Sequence, residues 1–131
     1  MFLSMKIVIL AGSESDSWFT DKLQKNAQEC QIETDIHFAS AHKRTRFVLD
    51  TVESYSNDKV VFITVAGRSN ALSGVVAANC KKPVIACPPF KDASDFMVNI
   101  NSTLQMPSST PVLTVLDPKN AVLSAQRILG L

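Results

Sequence analysis

Three short clusters bring together residue types that can do chemistry: "GSESD" at 12–16, "SAHK" at 40–43 and "AGRSN" at 66–70. Gly12 and Gly67 each stand where an apolar run stops, and glycine there allows a tight turn or a close ligand approach. Beyond Gly12, Ser13 and Ser15 offer hydroxyls and unpaired amides at the start of a helix, a setting that holds phosphate. Asp16 would repel a phosphate, but its carboxylate can accept from both hydroxyls of a ribose. The same three residues could equally serve as helix caps, since G-S-x-S-D is neither a Walker loop nor a dinucleotide fingerprint. His42 could move a proton, or it could be a structural hydrogen-bonding residue in a loop. Arg68 can pair a phosphate or carboxylate with two parallel hydrogen bonds, or form a surface ion pair. Ser69 and Asn70 add a hydroxyl and an amide beside it, and His37, inside an alternating run, is given no role.

The elements that must position these clusters follow from periodicity. "KIVILA" (6–11) is a β-branched run ending at Gly12, and Phe19, Leu23, Ala27 and Cys30 then recur at helical spacing. Ile32, Thr34, Ile36 and Phe38 alternate with polar residues, as in a strand with one wet face at a sheet edge. Phe47, Val48, Thr51, Val52 and Tyr55 restore the helical period, and 60–66 is apolar apart from Thr64, the signature of a central strand covered on both faces. A small-residue helix (71–80), a strand in "PVIACPP", a helix in "DFMVNINSTL", a strand in "PVLTVL" and a final helix in "NAVLSAQRILGL" complete the order. Strands alternating with helices predict a three-layer α/β/α sandwich with a five-stranded parallel sheet, of flavodoxin-like type, over a single domain spanning 1–131. Ligands of such sheets bind beyond the carboxyl ends of the strands, which is where all three clusters fall.

Composition narrows the partner. With 131 residues and 46% hydrophobic content, one buried core is expected. Thirteen basic and twelve acidic residues leave a net charge of +1, which favours a small molecule or another copy of the chain over nucleic acid or a membrane. Cys30, Cys80 and Cys87 form an odd set without metal-ligand spacing, so they read as reduced thiols of a cytoplasmic protein with no metal. The apolar N-terminus is interrupted by Lys6 and reads as a core strand rather than a leader.

At these motifs, and at "PVIACPP" and "QMPSS", the chain resembles the aminoimidazole ribonucleotide (AIR) carboxylase family of purine biosynthesis from about Lys6 to Leu131. One branch, common in bacteria and fungi, moves a carboxylate from the carbamate nitrogen of carboxyaminoimidazole ribonucleotide to ring carbon. The other, known from animals and some bacteria, takes CO2 directly. "SAHK" and "AGRSN" resemble the second branch, which implies carboxylation of aminoimidazole ribonucleotide at C4 by CO2, without metal or other cofactor; the mutase and a non-catalytic nucleotide-binding protein are the alternatives. The resemblance implies catalytic roles for His42, the proton carrier, and Lys43. It also implies a substrate pocket of Gly12, Ser13, Ser15, Asp16, Ser40, Ala41, Gly67, Arg68, Ser69 and Asn70, with Ser13 and Ser40 on the 5′-phosphate and Asp16 on the ribose. It implies a homo-octamer as well, for which helix 71–80 and the final helix offer packing surfaces. Two positions depart from the branch: Gln105, a residue of the mutase branch, precedes "MP", and Ser109 replaces the usual glycine.

Overall fold

A computed structural model describes residues 4–131, so the apolar residues 1–3 of the expected first strand lie outside the described residues. Five strands run β1 (Met5–Ala11), β2 (Thr34–Phe38), β3 (Lys59–Val65), β4 (Val84–Ala86) and β5 (Leu113–Thr114). Five α-helices follow them in turn: α1 (Ser17–Glu29), α2 (Thr45–Glu53), α3 (Leu72–Ala78), α4 (Ala93–Leu104) and α5 (Pro118–Leu129). Every strand pair is parallel and the spatial order is β2-β1-β3-β4-β5, which establishes the flavodoxin-like three-layer sandwich.

The period of two along the strands divides the core into two faces. Ile7, Ile9, Val61, Ile63 and Ile85 pack under Phe19 and Leu23 of α1 and Val122 and Leu129 of α5. Val8, Leu10, Val60 and Phe62 pack on the other side with Val48 and Val52 of α2 and Leu72 and Val76 of α3. Each such side chain removed from water contributes about 1.5–3 kcal/mol, and the twin cores hold the carboxyl ends of β1 and β3 in register, Ala11 opposite Val65. Ala121, Val122, Ala125 and Leu129 of α5 are thus packed into the core, while Ile128 of the same helix stays exposed. α4 is built the other way round: its buried residues are Asn99 and Thr103, while Met97 and Leu104 are 59% and 61% exposed.

On the edge strand β2, Asp35 Oδ2 accepts from Tyr55 OH at 2.7 Å and from Lys6 Nζ at 3.2 Å. Because the phenol proton goes to Asp35, the His37 Nε2, 2.7 Å from the Tyr55 oxygen, must be the donor there. Burial pushes the His37 pKa below its ordinary 6.5, against the attraction of Asp35. Burial also pulls Asp35 upward, but the bonds from Tyr55 and Lys6 outweigh it and hold the carboxyl below 3.8. Both shifts are downward, so as pH falls the unfolded chain binds each proton first. Stability should therefore be full above about pH 6.5, decline below it as His37 titrates, and decline again below about pH 4 as Asp35 does. Urea melts across this range should show both losses, and His37→Gln should remove the first and spare the second.

Candidate functional site

The chain reverses strand order between β1 and β3, and the segments beyond their carboxyl ends open a crevice there. Gly12, Ser13, Asp16, Ser40, Ala41, His42, Gly67, Arg68 and Ser69 all line one cavity of about 140 Å³. A second cavity of about 280 Å³ shares Ser13, Asp16, Gly67 and Arg68 with it and continues past Ser15 to Trp18, Lys91 and Asn99. Together they form one groove with His42 at one end and Lys91 and Asn99 at the other.

The local structure decides between the two readings of the first cluster. Ser13 caps a single 3-10 turn, Glu14–Asp16, its Oγ accepting from Ser15 N at 3.2 Å and lying 2.9 Å from Ser15 Oγ. Asp16 occupies the N-cap position of α1 yet makes no side-chain capping bond, so its carboxylate is left for the groove. Burial and the nearby Asp95 push the Asp16 pKa above its ordinary 3.8, with Lys91 pulling the other way. At neutral pH that charge costs folding stability, a pattern found where a residue serves a site rather than the fold. At Gly12 a Cβ would meet its nearest neighbours only at 4.0 Å and φ is not positive, so glycine is not required there by the turn; its absent side chain simply leaves the crevice open.

The second cluster places His42 at the rim of the smaller cavity, exposed, with no hydrogen bond to its ring among the described residues. Ser40 shapes that turn: its Oγ accepts from Lys43 N at 3.2 Å and its carbonyl from Arg44 N at 2.8 Å. Lys43 is exposed and lines neither cavity, so the structure does not bring its side chain to the others. Arg44 lies over the Phe47 ring at 4.2 Å, and Arg46 is solvent-exposed.

In the third cluster Arg68 pairs with Asp95 of α4 at 3.3 Å while its guanidinium remains largely exposed, so both readings of that residue are realised at once. Asn70 is not at the groove. Its Oδ1 accepts from Ser73 N at 3.1 Å and Ser73 Oγ at 3.0 Å, its Nδ2 donates to Thr103 Oγ1 at 3.1 Å, and its amide donates to Ser102 Oγ at 2.6 Å. Ser73 Oγ lies 2.6 Å from Thr64 Oγ1 of β3. Asn70 thus ties the loop 67–69 to both β3 and α4 rather than touching a ligand.

Trp18, Lys91, Asp95 and Asn99 were not evident as groove residues from the sequence. The signal was the same strand-end rule, applied to "PPFKDASD" after β4, which supplies Lys91 and Asp95. The larger cavity of about 620 Å³ between α1 and the start of α5 contains none of the three clusters and meets the groove only through Trp18. At the departing loop, Ser109 adopts a left-handed φ of 65°, the conformation that glycine takes without strain. Met106 and Pro107 line a separate cavity with Gly74.

A parallel sheet of this order, with hydroxyls, a carboxylate free of capping and an imidazole gathered at its switch point, defines an α/β protein with a polar groove at its strand ends. The family profile described as AIR carboxylase matches residues 6–131, and the chain belongs to that family. It is 43% identical over 127 residues to phosphoribosylaminoimidazole carboxylase of Archaeoglobus fulgidus, covering 97% of this chain and 70% of that protein. The protein of the same name from Treponema denticola is 42% identical, with 95% and 79% covered. The crystal structure of Treponema denticola PurE superposes with a TM-score of 0.88 at 39% identity, covering 97% of this chain and 80% of that one. The bifunctional phosphoribosylaminoimidazole carboxylase/phosphoribosylaminoimidazole succinocarboxamide synthetase of Homo sapiens is 36% identical, and the chain spans 30% of its length.

Membership makes the chain a purine-biosynthetic enzyme of carboxy-lyase and mutase chemistry that binds a small nucleotide, and it removes the non-catalytic alternative. It also corrects the branch. "SAHK" and "AGRSN" resembled the animal-type, CO2-using branch, but the archaeal and bacterial proteins, at 43% and 42%, are nearer than the human one at 36%. The expectation of direct carboxylation by CO2 falls with that assignment, and the mutase alternative fits better. Among the described residues no helix is long and apolar enough to cross a membrane.

Proposed function

We propose that the chain isomerises carboxyaminoimidazole ribonucleotide, moving the carboxyl group from the exocyclic nitrogen to C4 of the ring. The observation that carries this reading is the convergence of the segments after β1, β2 and β3 on one groove that His42 and Asp16 share. Ser13 and Ser40 hold the 5′-phosphate, with Ser15 nearby, while Asp16 accepts from the ribose and Arg68 and Ser69 flank the carboxyl end. The single domain 1–131 supplies all of them.

The chemistry then requires little of the protein beyond orientation, dryness and one mobile proton. As the N–C bond of the carbamate breaks, the exocyclic nitrogen gains a proton and CO2 is freed within the groove. The ring is an electron-rich enamine, so C4 attacks that CO2, and the C4 proton must leave to restore aromaticity. His42 can give the first proton and take the second, which balances the isomerisation without net uptake or release. Holding the CO2 beside C4 in the groove turns a poor bimolecular encounter into a positioned one.

The reading includes a cytoplasmic setting, in keeping with three free cysteines. It also includes assembly into a symmetric octamer, supported by the exposed Met97 and Leu104 on α4. Supplying each candidate substrate separately, with and without bicarbonate, tests the function. Turnover of the carbamate isomer that is indifferent to bicarbonate is expected. Turnover confined to the unmodified amine and dependent on bicarbonate would overturn it.

A further inference from the structure

Asn99, on the inward face of α4, is 4% exposed and lines the larger chamber of the groove. Its Nδ2 donates to Pro89 O at 2.6 Å and lies 3.4 Å from Asp95 Oδ1. Both neighbours can only accept, so the orientation of the carboxamide is fixed: nitrogen toward them, oxygen away. That oxygen, Oδ1, is buried and has no donor among the described residues. Gly67 packs against the same carboxamide, where a Cβ would stand 3.2 Å from Nδ2 and 3.3 Å from Oδ1. A side chain at 67 would press on Asn99, and glycine leaves the amide undisturbed.

An unpaired buried acceptor is costly, and no donor among the described residues reaches this one. The missing donor is therefore to be sought in the ligand. A phosphate or carboxylate cannot supply it, because each would bring a second acceptor against Oδ1. A hydroxyl can, and the chamber is shared with Asp16, whose uncapped carboxylate is a further acceptor there.

We infer that Asn99 is a further substrate-contacting residue, whose carboxamide oxygen accepts a hydrogen bond from a ribose hydroxyl of the nucleotide, beside Asp16. This rests on the nucleotide reading above. Calorimetry with 4-carboxy-5-aminoimidazole ribonucleotide and its 2′,3′-dideoxy analogue tests it on the full chain. Asn99→Ala should weaken the ribonucleotide by about ten-fold and leave the dideoxy analogue unchanged. Should that variant not fold, the Asn99 carboxamide carbon resonance of the wild-type protein carries the test. It should shift on adding the ribonucleotide and stay in place on adding the dideoxy analogue. Unchanged ribonucleotide affinity, equal loss for both ligands, or an equal resonance response to both would overturn the role of Asn99 alone. Failure of the wild-type chain to bind the ribonucleotide would overturn the nucleotide reading and this inference together.

Discussion

His42→Asn should abolish most turnover, by about 10²- to 10⁴-fold, while the nucleotide binds within about two-fold of wild type. The imidazole makes no hydrogen bond among the described residues, so its removal leaves no partner stranded and the fold should be indifferent to it. Asparagine keeps a polar group of similar size at the rim of the smaller cavity but cannot exchange a proton near neutral pH. Isomerisation needs the exocyclic nitrogen protonated and C4 deprotonated, and an imidazole at the rim of the cavity can do both. Steady-state kinetics and calorimetry on the same preparation separate the two effects. Wild-type-like turnover would remove His42 from the mechanism, and lost binding would make it a structural part of the pocket.

Asp16→Asn should weaken nucleotide affinity by about ten- to a hundred-fold, the scale of a hydrogen bond to a charged group. The same change should raise folding stability at neutral pH. The sign follows from the direction of the pKa: burial lifts Asp16 above its ordinary 3.8, so the folded chain holds the proton longer than the unfolded one. Stability contributed by this group is therefore lost as pH rises through the raised value, and an uncharged amide removes that loss. A residue that served only as a helix cap would show no loss of affinity on this change, because asparagine caps a helix as well as aspartate does. Urea melts at neutral pH, paired with calorimetry, read both quantities. Unchanged affinity would return Asp16 to a structural role.

Much of this fold is written in the periodicity of the chain. The run from Val60 to Ala66, apolar but for Thr64, became most of the central strand Lys59–Val65, because a strand covered on both faces buries such a run. The alternation through Thr34, Ile36 and Phe38 became the edge strand β2, none of whose residues is fully buried. Strand length was harder to read. "PVLTVL" forms a ladder only at Leu113–Thr114, since an edge strand pairs on one side and Pro111 has no amide to donate. α4 defeated the amphipathic rule, exposing Met97 and Leu104 while burying Asn99 and Thr103, and a polar residue on a helix reads from sequence as solvent-facing.

The site was legible to the extent that it obeys the strand-end rule. Nine of the twelve residues expected there line a single cavity, with Ser15 in the adjoining one. Lys43 and Asn70 do not, and their neighbours explain why. Lys43 follows His42 on a turn that points its side chain to solvent, and Asn70 is held by Ser73, Ser102 and Thr103. The branch of the family was misread from four- and five-residue motifs, whereas similarity along the whole chain sided with the archaeal and bacterial proteins, as Gln105 does.

A crystal structure of the wild-type chain with 4-carboxy-5-aminoimidazole ribonucleotide tests the central claim most directly, since that claim is that one nucleotide meets all three strand-end loops. The ring should lie with C4 within about 3–3.5 Å of the His42 imidazole, and the ribose hydroxyls should bond Asp16 and Asn99. A nucleotide seated instead in the cavity between α1 and α5, or bound in the groove with its ring remote from His42, would contradict the account.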